Sequence, residues 1–163
     1  MSSIRRKDRE ITDIHQILEI VGRTKYLHLG LYDGEFPYVV ALHYGAEFQD
    51  GVLTFYLHGA KKGHKLDLIR QNPHVCIELE CDAELIPAGD IPCEYGSSYA
   101  SVIGRGTAQL LDDPNEKIHG LKVLMEHQTG RDFGITPQMA SSVAVIRITV
   151  PEFTAKARPL PAG

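Results

Sequence analysis

Along this chain the apolar positions switch from helical to alternating spacing within a few residues. Ile14, Ile17, Leu18 and Val21 recur three and four apart behind Thr12 and Asp13, either of which can cap a helix, and Gly22 offers its stop. Residues 26–31 and 37–44 then flank Asp33-Gly34, a strong hairpin signal, and Asp50-Gly51 sets a second turn before the apolar run 52–57. Three consecutive antiparallel strands are expected there. After an interruption at residues 58–65, a short amphipathic stretch from Leu66 to Arg70 ends at Asn72-Pro73. Val75, Ile77 and Leu79 alternate in a fourth strand over 74–80, and Cys76 is expected to face the core. Residues 82–94, rich in Pro, Gly and acids, read as a loop long enough to serve as a lid or an interface.

The second half continues the pattern. Val102, Ile103, Ala108 and Leu110 surround Gly104 and Gly106 in a strand that should bend or bulge. Asp112-Asp113-Pro114 opens a helix carrying Ile118, Leu121, Leu124 and Met125, which should end near Gly130. Residues 143–150 form a last strand that Pro151 is expected to end, with 151–163 as a tail. About six strands in mostly hairpin order, with two good helices and one short one, predict a mainly β (α+β) fold. A closed or partly closed antiparallel barrel with peripheral helices fits best, as a single domain over 1–163.

Composition narrows the function classes. Apolar residues at 43% and charged residues at 23% suit a soluble globular domain, and a net charge of −4 argues against a general nucleic-acid binder. No run approaches the roughly 18 apolar residues of a membrane span, and the first residues lack the apolar core of a signal peptide, so a cytoplasmic, membrane-free protein is expected. Cys76, Cys81 and Cys93 are odd in number and show no C-x-x-C spacing, which favours reduced thiols over disulfides or a zinc site.

Against that acidic background, His58-Gly59-Ala60-Lys61-Lys62-Gly63-His64-Lys65 stands out as a local basic turn between a strand and a helix start. Its glycines can take positive φ or let a ligand approach the backbone, while helix N-terminal amides and three lysines favour an anion such as phosphate. It is not a Walker A loop, because three residues separate Gly59 from Gly63 and His64 stands in the lysine position. By themselves these residues fit a phosphate cradle and a solvated basic turn equally well.

The order of several such pieces carries a resemblance. Leu29-Gly30-Leu31 with Asp33-Gly34, the run Pro37-Tyr38-Val39-Val40-Ala41-Leu42, the basic turn with Asn72-Pro73, Tyr99-Ala100-Ser101-Val102-Ile103-Gly104 and Leu124-Met125-Glu126-His127 together resemble the pyridoxamine 5′-phosphate oxidase-like flavoproteins of the FMN-binding split-barrel type. Within them the chain looks most like the 5-nitroimidazole resistance (Nim) branch. The resemblance implies a six-stranded split β-barrel with FMN as cofactor. It implies that Gly59, Ala60, Lys61, Gly63, His64 and Lys65 hold the phosphate, with Lys62 turned to solvent. It also implies that Val39, Val40, Ala41, Leu42, His43 and Tyr44 run along the isoalloxazine, offering backbone groups to its polar edge. Tyr99, Ser101 and Val102 would complete the site from the partner in a homodimer. Ala41 and His43 stand where close relatives more often carry proline and asparagine, so His43 is a further candidate contact. Residues 155–160 lack the arginine-rich signature for vitamin B6 substrates, so that oxidation is not expected.

The remaining candidates follow from chemistry. His58, at the end of its strand, could shuttle a proton near neutral pH or simply bond to backbone. Tyr99 and Ser101 share strand parity and should share a face. His127 lies near an apolar helix stripe and reads as an interface histidine. Glu78, Glu80, Asp82 and Glu84 alternate like a solvated face, with no histidine or cysteine at ligand spacing, so no metal is expected. No serine elbow, H-E-x-x-H helix or G-x-G-x-x-G unit is present. A flavin would need none of these, since it carries the electrons itself. The expected function is FMN-dependent electron transfer, from a reduced nicotinamide (NAD(P)H) that visits transiently, to a small acceptor such as a nitroaromatic compound. The alternatives are a flavin sensor or storage module without turnover, and a split barrel that binds haem or a deazaflavin.

Overall fold

One bent strand joins the two ends of the sheet. The computed structural model describes Met1 and residues 3–161. In chain order they form β1 (Glu10–Ile11), α1 (Ile14–Arg23), β2 (Tyr26–Asp33), β3 (Phe36–His43), β4 (Gly45–Gln49), β5 (Val52–Gly59) and α2 (His64–Gln71). There follow β6 (His74–Ile86), β7 (Gly96–Leu110), α3 (Pro114–Thr129), α4 (Pro137–Ser141) and β8 (Ala144–Arg158). All strand pairs are antiparallel, in the order β3-β2-β6-β7-β8-β5-β4, with β1 added on β8. β3 and β4 are neighbours in sequence yet lie at opposite ends of this order. The chain leaves β2 at the His43–Tyr26 pair and joins β5 at the Gly45–Tyr56 pair, so residues 36–49 act as one strand bent at Tyr44 that closes the barrel. Counted that way, with the two-residue β1 set aside, the barrel has the six strands the sequence predicts.

The core follows strand parity. Leu27, Leu29, Leu53, Phe55, Leu57, Ile77, Leu79, Val102, Ile146 and Ile148 are buried inside the barrel. α1 closes one side of it with Ile17, Ile20 and Val21, and α2 adds Leu66, Leu68 and Ile69. α1 starts where Asp13 accepts a hydrogen bond from the His15 amide, as the capping pattern predicts. A smaller cluster of Tyr56, Leu111, Leu121, Ala140 and Val145 seats α3 and α4 outside the barrel.

Three local expectations are corrected. The predicted loop over 82–94 is shorter than expected: a register shift between Cys81 and Glu84 absorbs the extra residues and lets β6 continue to Ile86, which leaves 87–94 as the connection. The buried Ser98 stabilises that bulge, its hydroxyl donating to the Asp82 carbonyl at 2.7 Å and accepting from the Glu84 amide at 3.1 Å. Pro151 does not end the last strand. It sits where the β7–β8 register shifts between Arg105 and Thr107, so its missing N–H costs no ladder bond, and β8 runs on to Arg158. At this bulge a side chain on Gly106 would overlap the Thr149 carbonyl. Cys76 is exposed rather than buried, because Val75 and Ile77 on either side of it take the core face.

Candidate functional site

The bend at Tyr44 is held from three sides. Tyr44 is fully buried, and its hydroxyl donates to the Val21 carbonyl of α1 at 2.7 Å. α3 packs so closely on the next residue that a Cβ on Gly45 would overlap the backbone of Leu124. From the same helix, Gln128 donates to the carbonyls of Lys25 and Tyr44, each at 2.7 Å, and the Nε2–H of His127 donates to the Thr24 carbonyl at 2.7 Å. Burial pushes the His127 imidazole below its ordinary pKa. His127 therefore fixes this corner, and Tyr44, expected beside a flavin, instead points into the core.

On the other side of the bend the strand is open. Val39, Ala41 and His43 project outward and are exposed, while Tyr38, Val40 and Leu42 turn toward the core. β3 ends the sheet order, so the backbone groups along one of its edges have no ladder partner. Where β3 meets the end of β5, Tyr26, Ala41, Leu42, His43 and His58 line a cavity of about 350 Å³. Partial burial of its imidazole and, second, the neighbouring His43 push the pKa of His58 below the ordinary value. His58 is thus mainly neutral at neutral pH and able to accept a proton.

The basic turn adjoins this cavity through Gly59. That glycine takes no positive φ. Lys65 folds back over it, its Nζ 3.5 Å from where a Cβ would stand, an ordinary contact. Gly63 precedes α2 without any side-chain cap, so the first amides of α2, those of His64 and Lys65, lack intrahelical partners. Asp33, from the β2–β3 turn, accepts from His64 Nε2 at 2.7 Å, and Tyr38 meets the same ring edge-on at 5.1 Å. Lys61 points elsewhere, into a groove of about 490 Å³ shared with Arg70 and Lys117. Lys62 is exposed.

The structure therefore gathers His43, His58, Gly59 and Lys65, turns Lys61 aside, and places Tyr99, Ser101 and Val102 on β7, apart from both β3 and β5. Tyr99 and Ser101 do share the outer face of β7, but β2 and β6 stand between that strand and β3. The Val102 side chain is fully buried in the core, which corrects the expectation that it lines a pocket. Tyr26 was not expected in the site. Counting the hairpin register outward from the Asp33-Gly34 turn pairs it with His43 and would have found it.

The cavity, open strand and basic turn invite comparison with known proteins. The family profile described as pyridoxamine 5′-phosphate oxidase matches residues 13–157. The chain belongs to this family. A candidate 5-nitroimidazole antibiotic resistance protein from Bacteroides thetaiotaomicron is similar over 91% of this chain and 86% of its own, at 28% identity and a TM-score of 0.76. A candidate pyridoxamine 5′-phosphate oxidase from Listeria innocua shares 26% identity over 85% of this chain and 94% of its own, with a TM-score of 0.53. The flavocytochrome Anf3 from Azotobacter vinelandii shows the same fold at 19% identity, with a TM-score of 0.78 over 98% of this chain and 73% of its own. No curated protein matches in sequence. Membership in the pyridoxamine 5′-phosphate oxidase family accounts for the antiparallel split barrel with outer helices. No helix among the described residues is long and apolar enough to cross a membrane.

Proposed function

We propose that this protein binds FMN along the open half of the bent strand and passes electrons from a visiting reduced nicotinamide to a small acceptor of the nitroaromatic class. The carrying observation is the contiguity of the β3 edge, the His43–His58 cavity and the turn at Gly59 with Lys65 folded over it. The residues present fit the group. Lys65 and the free α2 amides suit a phosphate. Val39 and Ala41 offer a low surface to a flat ring, whose polar edge the unpaired β3 backbone can satisfy. Bound there, FMN would supply the electron chemistry. His58 would take or return the accompanying proton, and His43 would orient the acceptor at the cavity mouth.

The same outer face supports a symmetric dimer as the working form. Tyr26, Tyr32, Val39 and Ile103 are exposed on it together, with 62% of Val39 accessible, an apolar patch suited to a second copy. In such a dimer the partner's β7 would bring Tyr99 and Ser101 to the flavin. Flavin fluorescence during titration with protein tests the reading. FMN should be quenched at micromolar protein and preferred to riboflavin, and the loaded protein should oxidise NAD(P)H when a nitroaromatic acceptor is supplied. Unquenched FMN sinks the proposal; bound FMN without turnover reduces it to a sensor or storage role. A second reading, haem binding, is favoured only by the adjacency of His43 and His58, and the visible spectrum separates it from flavin.

A further inference from the structure

The outer face carries a second constellation that the flavin reading does not use. The β2–β6 register sets His28 directly opposite Glu78, and Glu80 has the same parity two residues on. His28 Nδ1 lies 2.9 Å from Glu78 Oε2 and 3.4 Å from Glu80 Oε2, and one ligand atom from each residue falls within 4.8 Å of the other two. A tetrahedral ion with bonds of about 2.0–2.2 Å to nitrogen and oxygen keeps its ligand atoms about 3.3–3.6 Å apart. Very little movement would bring these three atoms onto such an ion.

We infer that His28, Glu78 and Glu80 bind one divalent first-row transition-metal ion, of which Zn²⁺ is the natural example. Two carboxylates share one imidazole here, and among the described residues neither glutamate pairs with a lysine or arginine. The surroundings leave room. Ala41 lies across from His28 on one side, and Ile103 and Ser101 lie across from Glu78 and Glu80 on the other. In the single chain three half-exposed protein ligands leave coordination positions for water, an open site; the proposed dimer would cover this face, so in it those positions would meet the second copy. A mixed imidazole and carboxylate set favours Zn²⁺ or Mn²⁺ over Mg²⁺ and Ca²⁺, which prefer oxygen alone. The linear sequence conceals the site because its nitrogen ligand comes from a strand 50 residues away.

The proposal is tested without flavin, so its outcome is separate from that of the FMN reading. Zn²⁺ and Mg²⁺ are titrated calorimetrically into the full chain carrying Cys76→Ser and Cys93→Ser, which removes the two exposed thiols. One Zn²⁺ per chain and no Mg²⁺ heat are expected. His28→Ala and Glu80→Gln should each weaken Zn²⁺ by about tenfold or more, while Glu84→Gln, the same charge change on the same strand, leaves it unaltered. Circular dichroism confirms that each variant is folded. No binding at millimolar Zn²⁺, undiminished binding in His28→Ala, or equal losses in Glu84→Gln would each show that the cluster is only a hydrogen-bonded imidazole and carboxylate pair.

Discussion

The two halves of the bent strand are built on opposite terms. Beyond the bend, at Tyr44 and Gly45, helices α1 and α3 take up the tyrosine hydroxyl, its carbonyl and the space above the glycine. Before it, over residues 39–43, the outward side chains touch no covering element and the edge backbone has no ladder partner. A single strand can be rigid at one end and receptive at the other because the bend moves it from one sheet neighbour to another. The fixed end sets the position from which the open end can meet a ligand without prior rearrangement.

Gly45→Ala should cause the largest change, since its Cβ has only the Leu124 backbone to displace. A loss of about 3 kcal/mol in chemical denaturation is expected, at the upper end for overpacking. Wild-type stability in this variant would show that α3 does not clamp the bend. On the open side, Lys65→Ala should leave stability alone and weaken FMN by roughly ten- to a hundredfold, a charge-assisted bond's worth. Lys61→Ala, turned toward another groove, should lose less, and equal losses from Lys61, Lys62 and Lys65 would point to a diffuse field.

Tyr44→Phe removes one buried hydrogen bond and strands the Val21 carbonyl, so about 1–2 kcal/mol of stability should go. His43→Ala on the open side should stay within about 0.5 kcal/mol of wild type. A large stability loss there would erase the contrast between the halves. The smallest effect is pH dependence. Folding lowers the pKa values of His58 and His127 from the ordinary 6.5, so the unfolded chain binds more protons as pH falls through that value. Thermal melting should therefore show stability declining from about pH 7 downward, and His127→Gln should flatten the slope.

Much of this was legible in the residues, for reasons the structure makes plain. Strand parity and the Asp-Gly turns gave the barrel, and the glycine-lysine turn pointed to the candidate site, because both signals are local. What was hidden depends on pairing between distant segments. Tyr44 looked like the end of a ligand-facing strand, since nothing in its neighbours reveals that α1 and α3 converge on it. Pro151 looked like a stop, since only the register against β7 shows that no hydrogen bond was due there. The same holds for Lys61 and Lys65, which alternate along the turn yet diverge once α2 begins.

The placement of β8 bears on how the molecule is made. It comes last of the described strands in chain order, yet it lies in the middle of the sheet, between β7 and β5, and it also carries β1. Until residues 144–158 leave the ribosome, the nascent chain holds two hairpin systems with nothing between them and two open edges that any other strand could join. The barrel cannot close piecemeal during translation. A chain that stops before residue 144 would therefore lack its central strand and be prone to pair with its neighbours, whereas one that includes residues 144–158 gains that strand and covers both open edges together.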